Sequence, residues 1–327
     1  MNKRVFRVIV LAITLLIVLG GQIWAGAQQE SAQKKYLVIF SQCNNAEPYR
    51  ASQNAVFTKL WAAYPDVEFQ ITDAQQDNSR QIAQIETAIR KNPDLLVVAP
   101  NERGPLSKIM GEAKNAGIPV ICLERDIVDA DNYTTWVMSD NYAIGKLVGE
   151  YIVDYLTKKN GAPKGKIVDM RGLLGVEGEM NRFNGAWDVL KKYPEIVQVQ
   201  EAVADWLQSK GRERMTEILR AQPEIDVVYG HNDPMAIGAY LAAKDLGREN
   251  EMIFIGVDGL GGEAGGIKKV IDGVLAVTFT YPLCVDKATE IGNKLMRESS
   301  FVPEKSYEMK SQMITPENAQ EVYDSLK

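Results

Sequence analysis

The stretch YLVIFSQCNNAEPYRASQ, residues 36–53, joins an apolar segment to a polar loop and indicates the fold of the chain. Residues 36–40 are continuously apolar, a pattern typical of a strand that is buried on both faces of a parallel sheet. Asn44, Asn45, Glu47, Tyr49 and Arg50 follow where this strand should end. Ligands of open α/β sheets bind just outside the carboxyl ends of the strands, so we expect these polar side chains to face a ligand.

Apolar segments alternate with helical patterns along the rest of the chain. In the first part, strands are predicted at residues 36–40, 67–73, 95–99 and 119–123, and helices at residues 50–64, after a cap at Ser79, and at residues 106–116. In the second part, strands are predicted at residues 166–170, 197–204, 226–230, 252–257 and 275–280, and a last helix is predicted to start at Thr315. The short connections favour parallel sheets, so we predict an α/β fold with two similar Rossmann-like, three-layer lobes.

The amino terminus has the pattern of a secretory signal peptide. Lys3, Arg4 and Arg7 precede an apolar run at residues 8–19, and the tripeptide AGA ends at Ala27. An uncleaved membrane anchor is the alternative, but the run is shorter than the roughly 20 residues that a spanning helix needs. We therefore expect residues 1–27 to be a signal peptide that is cleaved after Ala27, which predicts a periplasmic protein.

The composition is that of a globular protein long enough for two cores, with 327 residues, 46% of them hydrophobic and 24% charged. Loss of the three basic residues of the leader would change the formal net charge from −6 to −9. The other Lys and Arg residues form no basic stripe, so nucleic acid is not an expected partner. Cys43, Cys122 and Cys284 show neither the short spacing of a metal knuckle nor an evident disulfide framework, and we expect no metal and no cofactor.

Hydrogen-bonding and aromatic side chains stand at nearly every predicted strand end. A sugar ring needs this mixture, because each hydroxyl group both donates and accepts while aromatic faces cover the C–H surfaces. Taken singly, Asp258 could cap a helix, Trp206 could be a rim hydrophobe and Arg182 could be a solvated charge. Their joint placement favours a ligand site. The side chains at the predicted strand ends are Asn45, Tyr49, Arg50, Glu124, Arg125, Arg182, Asp205, Trp206, Asn232, Asp233, Asp258 and Tyr281.

Segments along most of the chain resemble the ribose-binding branch of the type I periplasmic binding proteins, the receptors of sugar ABC importers. The matching segments are SQCNNAEPYRASQ, DAQQDNSRQIAQIETAI, AGIPVICLERD, MSDNYAIGKLVGEYI, GHNDPMAIGAYLAAKDLG and IGVDG. The resemblance implies two lobes joined by a three-segment hinge, one with residues 35–139 and 282–308 and the other with residues 140–281 and 309–327. It also implies that the ligand is bound by Asn45, Tyr49, Arg50, Glu124, Arg125, Arg182, Trp206, Asn232, Asp258 and Tyr281.

Several positions depart from the ribose-binding pattern, and residues 180–187, MNRFNGAW, match the usual motif only loosely. Tyr49-Arg50 stands where two phenylalanines usually stack, and it is closer to the aromatic–arginine pair of galactofuranose-binding members. Glu124 stands where Asp is usual, and Tyr281 stands where ribose binders have Gln. The implied ligand is therefore a monosaccharide or related polyol, with ribose itself in question.

The resemblance implies a transport function without catalytic residues. We expect a periplasmic monomer that captures its sugar by hinge closure and delivers it to an ABC transporter permease in the inner membrane. The alternative is that the same fold serves as a ligand sensor for a chemoreceptor or a kinase.

Two enzyme interpretations are weaker. Residues 259–264, GLGGEA, fit the G-x-G-x-x-A fingerprint of dinucleotide sites, but they follow a late strand instead of the first, and Asp258 would repel a pyrophosphate. Glu47 and Glu124 are among the carboxylates that could supply the acid and base of a glycoside hydrolase. The same carboxylates pair naturally with arginines, and the one histidine, His231, belongs to no Ser-His-Asp set.

Overall fold

The computed structural model describes residues 35–326. The predicted signal peptide over residues 1–27, with its cleavage after Ala27, lies outside these residues. Within residues 35–326, twelve strands alternate with ten α-helices and one short 3-10 helix, Ala130–Asn132. No helix in this part of the chain combines the length and the apolar composition that crossing a membrane requires.

The first sheet has six strands and carries helices on both faces. Its strands, numbered by their place in the chain, are β1 (Tyr36–Gln42), β2 (Val67–Asp73), β3 (Leu95–Val98), β4 (Val120–Leu123), β5 (Thr135–Ser139) and β11 (Ser306–Met309). They lie in the order β11-β5-β4-β3-β1-β2, with parallel pairing from β1 through β3 and β4 to β5 and β11. The covering helices are α1 (Pro48–Trp61), α2 (Asn78–Lys91), α3 (Arg103–Asn115) and α9 (Val285–Arg297).

The central strands are continuously apolar because both faces of this sheet are buried. Val38 and Phe40 of β1 pack with side chains of α1 and α9, whereas Ile39 between them packs with side chains of α2 and α3. Successive side chains of a strand point to opposite faces, so each one enters a different core. Burying a side chain of this kind stabilises the fold by roughly 1.5–3 kcal/mol. Because helices cover both faces, the sheet is the middle of three layers.

The second sheet has four parallel strands and the same layered plan. Its strands are β6 (Gly165–Arg171), β7 (Ile196–Val203), β8 (Val227–Gly230) and β9 (Ile253–Ile255), in the order β7-β6-β8-β9. The helices on one face are α4 (Asn141–Asn160) and α5 (Glu177–Leu190), and those on the other are α6 (Gln208–Ala221), α7 (Asp233–Asp245), α8 (Gly266–Ile271) and α10 (Ala319–Ser325). Strand β10 (Thr278–Phe279) pairs with β12 (Met313–Ile314) in an antiparallel manner. Two single bridges, from Ile255 to Val277 and from Asp258 to Thr280, connect this pair to the end of β9.

The chain passes between the two sheets three times, between β5 and α4, between β10 and α9, and between β11 and β12. The prediction of an α/β fold with two parallel sheets is confirmed. The lobe boundaries, residues 35–139 with 282–308 and residues 140–281 with 309–327, stay predictions.

The structure corrects the start of two helices. Asp77 caps α2 in place of Ser79, since its Oδ1 accepts the N–H of Arg80 at 2.8 Å. At the carboxyl end, Thr315 begins a turn, and the helix starts only at Ala319. The sequence pattern does not predict β5 or β11, which pair with each other, and the strand predicted at residues 275–280 is reduced to β10.

Candidate ligand-binding site

A cavity lies where the carboxyl ends of the strands of both sheets meet. It is nearly filled by its own side chains, which leave about 20 Å³ open to a water-sized molecule. Nine of the ten predicted binding residues line it. The full lining is Glu47, Tyr49, Arg50, Glu124, Arg125, Val176, Gly178, Arg182, Trp206, Asn232, Asp258 and Tyr281.

Asn45 is the predicted binding residue that the structure does not bring to the cavity. Helix α1 begins at Pro48, so Tyr49 and Arg50 lie in its first turn and are buried in the cavity wall. Asn45 lies in the preceding loop, where its exposed side chain accepts a hydrogen bond from Asn54 Nδ2 at 3.2 Å. The sequence places several polar residues in this loop but does not indicate which of them turns inward.

Glu47, from the same loop, takes the inward position; it was expected at this strand end but is not among the ten binding residues that the resemblance implies. It is buried, and its Oε1 accepts a hydrogen bond from Asn44 Nδ2 at 2.8 Å. Val176 and Gly178 are also new, because α5 begins at Glu177, five residues before the arginine that the sequence analysis selected. Predicting the start of α5 at Glu177 would have placed both residues beside the cavity.

Arg50 and Glu124 form a buried ion pair on one side of the cavity. Arg50 Nη2 lies 2.5 Å from Glu124 Oε2, and Arg125 Nε lies 3.8 Å from the same oxygen. The other oxygen, Oε1, accepts the hydroxyl group of Tyr281 at 2.8 Å. Burial opposes the ionisation of Glu124, but the two arginines and these hydrogen bonds outweigh it and lower the pKa of the carboxyl group. Glu124 is therefore an anion at neutral pH.

Arg182 is buried on the opposite side of the cavity, with 2% of its surface exposed. Its Nε donates to Asn141 Oδ1 at 2.9 Å, and its Nη1 donates to the backbone carbonyl of His231 at 2.5 Å. The guanidinium carbon lies 4.3 Å from the ring centroid of Tyr281 and 5.6 Å from that of Trp206. No carboxylate within residues 35–326 lies within 4.0 Å of its nitrogens. The cation is thus held by neutral acceptors and two aromatic faces.

Asp258 and Asp233 form a pair of buried carboxyl groups at the end of β9. Asp233 Oδ1 accepts the hydroxyl group of Thr278 at 2.6 Å, and its Oδ2 accepts the N–H of Gly259 at 2.8 Å. Burial raises the pKa of Asp233 to about 6. Burial, together with the nearby Asp233, also raises the pKa of Asp258 well above its usual value. The pair therefore holds its protons more tightly than exposed aspartates do.

Three side chains of the cavity wall carry buried polar atoms without a hydrogen-bond partner. These atoms are Arg50 Nε, Trp206 Nε1 and Asp258 Oδ2. The indole of Trp206 lies against the backbone at Gly172, where an added Cβ would come within 2.3 Å of the ring. Buried polar groups are normally paired, so these two donors and one acceptor indicate a surface that binds a polar molecule.

Asn232 and Arg125 line the cavity while also bonding to the backbone. Asn232 caps α7 through its Oδ1, which accepts the N–H of Met235 at 3.0 Å, and its Nδ2 donates to the carbonyl of Trp206 at 3.0 Å. Arg125 Nη1 donates to the carbonyl of Asn101 at 2.8 Å. Both side chains therefore shape the wall as well as facing the cavity.

The geometry counts against the dinucleotide site, and it buries the one histidine of the chain. The N–H of Gly259, the first amide that a pyrophosphate would need, already donates to Asp233. His231 is fully buried, with its Nε2 3.0 Å from Asp169 Oδ1, and only its backbone carbonyl reaches Arg182. In residues 35–326, no group of three or more His, Cys, Asp or Glu side chains is arranged to hold a metal ion.

Known proteins match this chain in sequence and in structure. A family model described as a periplasmic binding protein domain matches residues 38–280. The chain is 30% identical to a galactofuranose-binding protein of Escherichia coli K12, over 89% of this chain and 91% of that protein. It is 28% identical to a ribose import binding protein of Bacillus subtilis, over 79% of this chain and 82% of that protein. A solved fructose-binding periplasmic domain of a hybrid two-component system has a TM-score of 0.83 and 35% identity, over 89% of this chain and 94% of that one.

Proposed function

This chain belongs to the periplasmic binding protein family, and from that membership we propose that it is the extracytoplasmic binding component of an ABC importer. The proposed ligand is a monosaccharide or a related polyol, delivered to a permease in the inner membrane. The relatives named above are binding proteins, which confirms the prediction that the chain is not an enzyme. Export to the periplasm with cleavage after Ala27 is part of the proposal.

The observation that carries the proposal is the set of unpaired polar atoms among aromatic rings in one cavity. Arg50 Nε and Trp206 Nε1 can each donate a hydrogen bond, and Asp258 Oδ2 is free to take part in one. The hydroxyl groups of a sugar satisfy both kinds of partner, since each one donates and accepts. The rings of Tyr49 and Tyr281, with centroids 5.2 Å apart, supply apolar faces beside them.

A neutral sugar suits the charges of the cavity better than a sugar phosphate. The three arginines in the wall would attract a phosphate, but Glu47, Glu124 and Asp258 line the same cavity. A phosphate would meet the ionised Glu124 at short range in a water-poor site, where like charges repel strongly. The galactofuranose, ribose and fructose in the names of the relatives support a neutral monosaccharide as the ligand.

We infer that the ligand is captured by closure of two lobes. Tyr49 and Arg125 belong to the lobe proposed for residues 35–139 and 282–308, and Arg182 and Asn232 belong to the other. A ligand that bonds to both lobes binds the closed form more tightly than the open form, and this difference drives closure.

A thermal-shift panel of neutral sugars, polyols, sugar acids, sugar phosphates and amino acids tests the proposed ligand class. We expect the unfolding temperature to rise with one or a few neutral sugars or polyols, because a ligand that binds only the folded state stabilises it. Stabilisation by sugar phosphates alone, or by amino acids alone, would overturn the assignment.

Ligand sensing is a second candidate function, favoured by the 35% identity to the periplasmic domain of a hybrid two-component system. Measurements of sugar uptake and of the response to the sugar, in cells that lack the protein, distinguish import from sensing. Loss of uptake of the labelled sugar supports the importer, whereas normal uptake with a lost transcriptional or chemotactic response to the sugar supports the sensor.

A further inference from the structure

Asn141, at the start of α4, connects three polar side chains around the cavity without lining it. The residue is fully buried. Its Oδ1 accepts Arg182 Nε at 2.9 Å, and its Nδ2 donates to Glu177 Oε2 at 2.7 Å and lies 3.2 Å from the hydroxyl oxygen of Tyr281. The oxygen of its amide group therefore faces the guanidinium group of Arg182, and the NH2 group faces Glu177 and Tyr281.

Glu177, in the first turn of α5, holds the other side of this amide group. Its Oε2 accepts from Asn141, and its Oε1 accepts from Asn181 Nδ2 at 2.6 Å. Both bonds use the carboxyl oxygens as acceptors, which fixes the orientation of the Asn141 amide. With the amide in that orientation, the carbonyl oxygen points to Arg182 and the NH2 group points away from it.

These bonds form one connected path across the cavity wall. Arg50 binds Glu124, Glu124 accepts from Tyr281, and Tyr281 contacts Asn141, which accepts from Arg182. The path joins the two arginines on opposite sides of the cavity. Removal of Asn141 would take one hydrogen bond from each of Arg182 and Tyr281.

We propose that Asn141 and Glu177 are positioning residues that hold Arg182 and Tyr281 for ligand binding and thereby set the affinity without touching the ligand. The proposal rests on the function proposed above. An amide at position 141 is suited to this role because its oxygen orients the guanidinium while leaving the positive charge of Arg182 available to the ligand. A carboxylate at the same place would neutralise that charge.

The arrangement also predicts how affinity depends on pH. The groups around Glu177 are Asn181 on its own helix, Asn141 on α4, Glu124 and Asp126 after β4, and Tyr281 after β10. Burial raises the pKa of Glu177 to about 7, and the hydrogen bonds from the two asparagines oppose this shift. Protonation turns one acceptor oxygen into a donor that faces an NH2 group, which disfavours the amide orientation that Arg182 needs. Affinity should therefore be highest above the pKa and fall below it.

The test compares Glu177→Gln and Asn141→Ala with wild type by calorimetric titration at about pH 6 and about pH 8, using whichever of D-fructose, D-galactose and D-ribose binds wild type. If only the ionised form binds, the ionised fraction predicts up to about tenfold weaker wild-type binding at the lower pH. Glu177→Gln should bind more weakly at the higher pH and lose the part of this dependence that comes from Glu177, while Asp233 and Asp258 still titrate in the variant. Asn141→Ala should bind about tenfold more weakly or worse. Asn160→Ala, at the exposed end of α4, and Asp188→Asn, on the exposed side of α5, are the matched controls.

The outcomes separate this proposal from the proposed function. Wild-type binding of none of the three sugars, and of no other neutral sugar or polyol in the thermal-shift panel, would overturn both; any other panel ligand that binds takes the place of the three sugars in the titration. Wild-type binding that Glu177→Gln leaves unchanged in affinity and pH profile would overturn the positioning role alone. Circular dichroism checks folding, and the near-isosteric Glu177→Gln keeps the test decisive if Asn141→Ala does not fold.

Discussion

Replacement of Arg182 by alanine is expected to weaken sugar binding by about 10- to 150-fold. The estimate corresponds to the roughly 1.5–3 kcal/mol that a hydrogen bond to a charged group contributes in a buried site. The structure supports this range because the guanidinium lies in the cavity wall between Trp206 and Tyr281 and forms no ion pair within 4.0 Å in residues 35–326. Its charge is therefore available to a ligand oxygen.

The effect on folding stability is a balance of opposing contributions. The substitution removes hydrogen bonds to Asn141 and to the carbonyl of His231, together with two cation–π contacts worth about 0.5–2 kcal/mol each. It also removes the cost of burying a cation that has no paired carboxylate, which offsets much of this loss. Equilibrium denaturation in the absence of sugar measures the balance.

The assay follows tryptophan fluorescence and small-angle scattering during titration with the sugar identified in the thermal-shift panel. Trp206 lies in the cavity wall, so its emission should respond to the ligand. Arg182→Lys keeps the charge but loses the planar fork and should bind at an intermediate level. Arg212→Ala is the control, because this arginine is exposed and paired with Asp245. Wild-type binding without compaction, or Arg182→Ala binding and compacting like wild type, would refute the reasoning.

Three further substitutions test other parts of the site. Tyr281→Phe removes the hydroxyl group that Glu124 accepts, and we expect denaturant unfolding to show a loss of about 1–3 kcal/mol, with weaker sugar binding; unchanged stability would mean that the bond contributes nothing. Asn45→Ala should leave affinity within about twofold of wild type, because the side chain is exposed outside the cavity, and a larger loss in calorimetry would restore Asn45 to the site. Gly172→Ala should displace the indole of Trp206 and change both its emission and the affinity, since the new Cβ would lie 2.3 Å from the ring; a variant with wild-type emission and affinity would contradict this packing.

Strands whose side chains enter a core on both faces could be predicted from the sequence. The run at β1 is apolar at successive positions because Phe40 packs on one side of the sheet and Ile39 on the other. Strand β5 escaped prediction because it is only five residues long and half-buried at alternate positions, and because its partner β11 lies far along the chain, with Trp136 opposite Ser306. Pairing over such a distance leaves no local pattern.

Some residues of the candidate site could be predicted from local sequence patterns, and others depend on tertiary contacts. Most of the predicted residues follow the end of a strand, and strand ends can be located from the apolar runs. The choice between Asn45 and Glu47 depends on how one loop turns before Pro48, which residue types alone do not reveal. The positions of Asn141 and Glu177 beside the site could not be predicted from the sequence, because they depend on hydrogen bonds between separate helices.

The three passages of the chain between the sheets affect the order in which the molecule can assemble during synthesis. One face of the first sheet is covered partly by α9, where Ala288 and Ile291 belong to the same core as Trp61, and its edge strand β11 comes later still. The ribosome makes these segments after all four strands of the second sheet. A nascent chain that contains only the first 280 residues would therefore expose apolar surface that the finished protein buries. We expect the amino-terminal lobe to reach its stable form only when nearly all of the chain has been made.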